Sequence, residues 1–373
     1  MDYYKETILA GDYAAGSRDG NNLEAEFNNP TGIAINPRNG AIIVADTGNH
    51  CIRQIMDGVV STIAGISTGT RTGTGVGTGP RPGTGSGAGF VDGHDSVARF
   101  NSPCGVVVSL DGDIYVADRD NHRIRRIGGG DVDTFAGNDR SQTTNGVGAA
   151  ASFQSPCNLA FSRDGNDTLY VTDSQSNSIR MIDREGVVAR LAGAALRGDE
   201  NGRGAAARFR EPAGIAVNGT GVVFVADTNN HRIRCISREG DVTTLAGGSG
   251  DGAVDGPGVT AQFKGPTCLT IHPTTKHLLV IDEFMIRTVD PLTGDVATLR
   301  TVTTPGLIKG IVVNRHGTIF LTVGNKIVAL LPLPAAAATT ASFYGGRKSA
   351  RRYKSKRSRR SKRSAHSKRT RKN

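Results

Sequence analysis

Asp227-Thr228-Asn229-Asn230-His231-Arg232-Ile233-Arg234-Cys235-Ile236 decides the fold, because the chain writes this pattern four times. The other copies span 46–55, 118–127 and 173–182, and a fifth, 282–289, is two residues shorter. Successive leading Asp residues lie 72, 55, 54 and 55 apart, and the long first interval holds a Gly/Thr-rich insert, 67–89. Two more motifs keep the same register. Ala-x-Phe-x-x-Pro begins at Ala25, Ala98, Ala151, Ala207 and Ala261. A short apolar strand closes on Ala-Gly at Gly11, Gly65, Gly137, Gly193 and Gly247. Three motifs repeating in step mark a repeat architecture.

Each unit reads as four short strands, in the fourth unit 214–218, 222–227, 233–237 and 242–246. They are rich in Val and Ile and bounded by Gly, Asp and Asn, the turn formers that punctuate β-structure. A four-stranded sheet repeated around an axis is a propeller blade. Blades start at Thr31, Cys104, Cys157, Ala213, Thr267 and Leu307, six in all. The sixth has only three strands, 310–314, 318–323 and 326–331. Residues 5–11 match 241–247, so the N-terminal strand is expected to complete the sixth blade and remove its open edge. The fold class is all-β: a six-bladed β-propeller over 1–331, closed by the N-terminal strand. A linker, 332–346, leads to a basic tail, 347–373, expected to be disordered.

Asn49-His50 with Ile52, Asn121-His122-Arg123-Ile124 and Asn230-His231-Arg232-Ile233 resemble the Asn-His-Leu signature of NHL-repeat propellers. The resemblance covers roughly residues 3–331. The third repeat has Ser176-Asn177 instead, and the fifth and sixth lack the pair. The resemblance implies a six-bladed ring. The family's functions are not carried over whole, because no enzyme, RING or coiled-coil domain accompanies the propeller within these residues.

The recurring charges form pairs: Asp46 with Arg53, Asp118 with Arg125, Asp173 with Arg180, Asp227 with Arg234, and Asp282 with Arg287. The sixth blade has Val323 and Val328 at these positions, so both charges vanish together. That is expected of a clamp between the second and third strands, since one half left alone and buried costs about 3–5 kcal/mol. His50, His122 and His231 occupy equivalent turns spread around the ring. They are expected to cap turns or pack between blades, because a zinc ion needs its ligands within about 2.0–2.3 Å. Cys104, Cys157 and Cys268 sit at the starts of channel-lining strands, where three thiols could converge. The simpler expectation is a small buried hydrophobe at each. Asp19-Gly20, Asp92-Gly93, Asn145-Gly146, Asn201-Gly202 and Asp255-Gly256 also recur and read as turns.

Lys plus Arg outnumber Asp plus Glu 45 to 34, a net charge of +11. The tail alone carries fifteen cations and no acid: Arg347, Lys348, Arg351, Arg352, Lys354, Lys356, Arg357, Arg359, Arg360, Lys362, Arg363, Lys368, Arg369, Arg371 and Lys372. Removing those fifteen leaves 30 against 34 over residues 1–346, a net of −4. A mildly acidic body therefore carries a strongly basic tail. Such a tail suits nucleic acid, held by counterion release, or an importin reading a nuclear localisation signal. Ser349, Ser355, Ser358, Ser361, Ser364 and Ser367 punctuate it, and phosphates there would each add about −1.5 to −2 charges. No apolar run reaches the ~20 residues of a membrane span, and the first residues lack a secretory signal. Five scattered cysteines argue against a disulfide framework.

The sequence is thus expected to encode a non-catalytic, monomeric scaffold. It takes a protein partner on a propeller face, needs no cofactor and is intracellular, in the nucleus. One alternative is RNA recognition by the propeller face. The other is a metal-dependent hydrolase or lyase, like the lactonase, phosphotriesterase-like and amidating-lyase propellers.

Overall fold

The computed structural model describes residues 3–66, 87–162, 164–165, 167–248 and 250–333. Its strands form six antiparallel sheets, each running outward from a common axis. Blade one comprises Ile33–Ile35, Ile42–Asp46, Cys51–Met56 and Val59–Ala64. Blade four comprises Pro212–Val217, Val223–Asp227, Arg232–Ile236 and Asp241–Gly247. Blade six comprises Ile308–Val313, Ile319–Val323 and Lys326–Pro332, with Tyr4–Ala10 as its outer strand. The second strands of blades one, three, four and five are buried at every residue. That explains their continuous apolar runs, since both faces pack on neighbours.

The ring closes where the repeat match placed it. Tyr4–Ala10 pairs antiparallel with Lys326–Pro332, setting Lys5 opposite Leu331 and Ile8 opposite Val328. Glu6 fastens the closing strand to blade five: its carboxylate accepts from the backbone N–H groups of Thr303 and Thr304, at 3.1 and 2.7 Å, and from Arg300 at 3.3 Å.

Four strands per blade was the expectation, and four blades carry a fifth. Gly20–Asn21, Gly93–His94, Gly146–Val147 and Gly202–Arg203 each add a two-residue strand to the outer edge. The connection from one blade to the next descends that edge before returning to the axis. Its short pairing covers an otherwise open strand.

The apolar core lies between blades. Six clusters each join two neighbours, the last combining Leu9, Ala10 and Phe320 of blade six with Ile33, Ile42 and Val44 of blade one. The Phe of each Ala-x-Phe motif is a wedge in these interfaces: Phe27, Phe100, Phe153, Phe209 and Phe263 are all fully buried. Truncating such a side chain to Ala typically costs about 3–5 kcal/mol.

The up-and-down course of the strands sorts the turns by face. The turns between second and third strands share one end of the ring with the starts of the first strands and of the inter-blade connections. This end is the loop face.

Candidate functional site

Two of the repeated motifs, the Asp-to-Arg run and Ala-x-Phe-x-x-Pro, meet at one node in each of the first five blades. In blade four, Asp227 Oδ2 accepts from Arg234 Nη1 and Asn230 Nδ2, both at 2.8 Å, and Oδ1 accepts from the Arg210 N–H at 2.8 Å. The Arg234 guanidinium also donates to the carbonyls of Arg208 and Glu200 and lies 5.1 Å from the Phe209 ring centroid. The other four pairs stand at 2.9 Å (Asp46–Arg53), 2.9 Å (Asp118–Arg125), 3.9 Å (Asp173–Arg180) and 3.0 Å (Asp282–Arg287). All ten side chains are buried. In blade six, Val323 and Val328 fill the corresponding space.

The Asx-Gly segments prove to be more than turns. Asp19, Asp92, Asn145, Asn201 and Asp255 each accept from the arginine of their blade, at 2.5–3.1 Å. The neighbouring Gly provides the positive φ, and the Asx side chain is the arginine's second anchor. Turn propensity alone explains Asp and Asn equally well without that contact, which therefore leaves no sign in the residue pattern.

His50, His122 and His231 hold left-handed conformations at the ends of the second turns, with φ of 55–58°. Each reaches the next blade: His50 Nδ1 accepts from Ser102 N–H at 3.0 Å, while His122 and His231 face the carbonyls of Gln154 and Lys264 at 2.8 and 2.7 Å. They tie one blade to the next and stay apart. Among the described residues no three His, Cys, Asp or Glu side chains gather as a metal site.

Non-repeated chemistry concentrates at the axis. The first position after each Pro, or its equivalent, forms a ring of Thr31, Cys104, Cys157, Ala213, Thr267 and Lys309 at the channel mouth. One layer deeper stand Gly32, Gly105, Gly214 and Gly310, where a Cβ would run into the neighbouring strand's backbone. Asn158 and Cys268 replace glycine in that layer and meet across the axis, Nδ2 to Sγ, at 3.4 Å. The channel is therefore plugged, and the upper ring is the floor of a shallow well.

Two thiols of that floor come together. Cys104 Sγ and Cys157 Sγ are 3.8 Å apart on adjacent blades, in residues that keep partial exposure while the sulfurs themselves are enclosed. The pairing gives these two a contact that a plain buried hydrophobe lacks, and Cys268 is buried outright. Arg119 stands beside them in the place where blades one, three and four have a hydroxyl. Thr47, Ser174 and Thr228 each bond the carbonyl of the next blade's Pro, but Arg119 pairs with Asp120 at 3.1 Å. The hydrogen bond with Cys157, helped by Arg119 and Thr31 against burial, lowers the Cys104 thiol to about 7. The same bond and burial push Cys157 well upward. Burial lowers Lys309, with Cys104 acting in the opposite sense. Thr267 Oγ1 is buried without a hydrogen-bond partner among the described residues. Sequence reasoning missed Arg119, Asn158 and Lys309. The signal lay in the repeat alignment, where each departs from its equivalents.

Around the well, the loop face presents large apolar side chains: Tyr13 (65% exposed), Phe90 (41%), Leu196 (71%), Phe284 (48%) and Leu307 (54%). The fifteen tail cations lie outside the described residues.

The NHL repeat family matches residues 27–55, 100–127 and 209–236. NHL repeat-containing protein 2 of Bos taurus is 30% identical over 311 residues, 72% of this chain and 40% of that protein. Suppressor of quenching 1, chloroplastic, of Arabidopsis thaliana is 28% identical over 316 residues, 78% of this chain and 28% of that protein. The chain thus spans well under half the length of these curated relatives. Among solved structures, a gluconolactonase from Xanthomonas campestris superposes with a TM-score of 0.58 at 15% identity, covering 89% of this chain and 90% of that one. A virginiamycin B lyase from Staphylococcus aureus gives 0.53 at 14% identity, covering 88% and 99%. At such identities the likeness is one of fold alone. The axial ring here has no carboxylate, so no metal-dependent step is derived from it. No helix among the described residues is long and apolar enough to cross a membrane.

Proposed function

Because the chain is an NHL-repeat β-propeller, we propose that it works as a non-catalytic interaction platform. The folded body takes a protein partner on its loop face, and the basic tail engages nucleic acid or an importin. The observation that carries this reading is the division of labour among side chains. The paired Asp and Arg that recur in the five clamps are buried and offer a partner nothing. Tyr13, Phe90, Leu196, Phe284 and Leu307 do not recur and stand exposed on one face. Apolar groups gathered on an otherwise polar surface mark interaction sites. Exposed arginines near them, such as Arg197 and Arg210, suit the composition of protein interfaces.

RNA reading by the same face is less well supported, since the body is acidic overall, with a net charge of −4 over residues 1–346 from 30 basic and 34 acidic groups. In the tail, fifteen cations without one acid favour nuclear import or sequence-independent contact with phosphates.

The test is affinity capture from cells of the source organism. Wild type is compared with a variant carrying Tyr13→Ser, Phe90→Ser, Leu196→Ser, Phe284→Ser and Leu307→Ser. A defined protein retained by wild type and lost by the variant, at equal melting temperature, supports the loop face as the docking surface. Equal recovery of every co-purifying protein by both overturns it.

A further inference from the structure

We propose that Cys104 and Cys157 form a peroxide-reactive dithiol on the floor of the axial well, Cys104 attacking and Cys157 resolving. Four observations place this chemistry there. The two Sγ atoms are 3.8 Å apart, on innermost strands of neighbouring blades, and both thiols are free. A disulfide needs about 2.05 Å between sulfurs, so closure has to draw the two Sγ atoms together by less than about 2 Å. Both residues keep partial exposure although their sulfurs are surrounded by protein, so the oxidant that suits the pair is a small one. Arg119 breaks the Thr/Ser/Thr pattern of its repeat position to stand beside the pair, and Lys309 occupies the same ring.

The cationic surroundings favour the thiolate, which is the nucleophilic form. The lowered Cys104 thiol lies near ambient pH, where thiolate fraction and intrinsic nucleophilicity are best balanced. Cys157, held protonated, is the resolving partner. Cys51 and Cys268 are buried, and burial raises both thiols, which suits them to structural roles.

The reaction balances with a hydroperoxide as oxidant. The Cys104 thiolate attacks the peroxide oxygen; an S–O bond forms and the O–O bond breaks. The leaving alkoxide or hydroxide takes a proton from water. Cys104 is then a sulfenic acid. The Cys157 sulfur attacks Cys104 Sγ; the S–S bond forms, the S–O bond breaks, and the departing hydroxide leaves as water with the Cys157 proton. Two electrons pass from the dithiol to the peroxide. The products are one disulfide, one alcohol or water from the peroxide, and one further water. The disulfide staples blades two and three together, and a dithiol reductant reverses it.

The experiment uses the full chain. Protein is exposed to hydrogen peroxide at pH 7.5, quenched with a maleimide, and mapped by peptide mass spectrometry. The expected result is a Cys104–Cys157 disulfide within one chain, formed at least about tenfold faster than Cys51 is modified. In Cys157→Ser, dimedone should trap a sulfenic acid on Cys104. In Arg119→Thr, which restores the residue type of blades one and four, the rate should fall severalfold while the melting temperature stays unchanged. A first-formed disulfide that uses Cys268, Cys235 or a second chain overturns the proposal. So does oxidation of Cys104 no faster than Cys51. The wild-type map decides the matter even if a serine variant fails to fold.

Discussion

Asn158 of blade three donates from Nδ2 to Cys268 Sγ of blade five at 3.4 Å, a contact that crosses the axis instead of following the ring. Four of the six blades keep glycine in this layer, at Gly32, Gly105, Gly214 and Gly310, because their strands approach too closely for a Cβ. Two side chains then suffice to block the channel. Asn158→Ala should cost about 1 kcal/mol, as expected for losing a partly buried polar contact. It should also let maleimide reach Cys268 several times faster. An unchanged alkylation rate at Cys268 would show that the plug lies elsewhere.

The clamp makes a second prediction. Arg234→Met leaves Asp227 buried with one donor fewer and should destabilise by about 3–5 kcal/mol. Asp227→Leu with Arg234→Met should cost less than the two single changes added together, since blade six already accepts Val323 and Val328 at these positions. The readout is a double-mutant cycle by urea denaturation. Additive losses would mean that the 2.8 Å contact carries no coupling.

These two sites show what the sequence could and could not tell. The clamp was legible because the fifth and sixth repeats act as natural variants: the Asp–Arg pair persists in one and disappears whole from the other. Closure was legible because residues 5–11 repeat 241–247. The meeting of Cys104 with Cys157 was not legible: they are 53 residues apart, and only the radius of the ring brings them to 3.8 Å. The role of Asp19, Asp92, Asn145, Asn201 and Asp255 was hidden for another reason. Asx-Gly satisfies a turn by itself, so its side-chain contact with an arginine leaves no separate trace in the pattern.

Burial also gives the clamp a pH signature. It raises the carboxyls of Asp46 and Asp118 to about 6, against the opposing pull of Arg53 and Arg125. Between about pH 4 and pH 6 the folded chain therefore holds protons that the unfolded chain has released. Stability contributed by these groups is present below the unfolded value and is lost as pH rises through the folded one. The double variant Asp46→Asn, Asp118→Asn removes both titrations. The stability of wild type minus that of the variant should fall between pH 4 and pH 6.5 and level off above. A difference that rises with pH would place these carboxyls below their ordinary value instead.

Ring closure rests on Tyr4–Ala10. Deleting residues 1–11 bares the edge of Lys326–Pro332 and strips Leu9 and Ala10 from the interface with blade one. The deletion variant should aggregate or melt well below the parent, because an unpaired apolar edge templates association. Glu6→Ala should be milder, losing the contacts to Thr303, Thr304 and Arg300 while keeping the backbone ladder. Light scattering and thermal melts of both variants check the order. A soluble, monomeric deletion variant with the parent's melting temperature would refute the role of this strand.

The tail is tested by comparing residues 1–346 with the full chain for binding to single- and double-stranded nucleic acid across a salt series. Fifteen cations without acids predict attraction that is electrostatic and indifferent to sequence. The full chain should bind, and log affinity should fall with log salt by about 0.7–0.9 for each phosphate neutralised. The truncated body, at a net −4 from 30 basic and 34 acidic groups, should bind weakly or not at all. Replacing Ser349, Ser355, Ser358, Ser361, Ser364 and Ser367 with Asp adds six negative charges to the fifteen positive ones and should weaken binding and flatten the salt slope. Phosphorylation of the same serines should act more strongly, since each phosphate brings about −1.5 to −2 charges. Salt-resistant, sequence-selective binding by residues 1–346 would move recognition from the tail to the loop face. The exposed Phe90 and Phe284 would then be the first side chains to substitute, because stacking on aromatic rings is how a propeller face of net acidic charge could still hold unpaired bases.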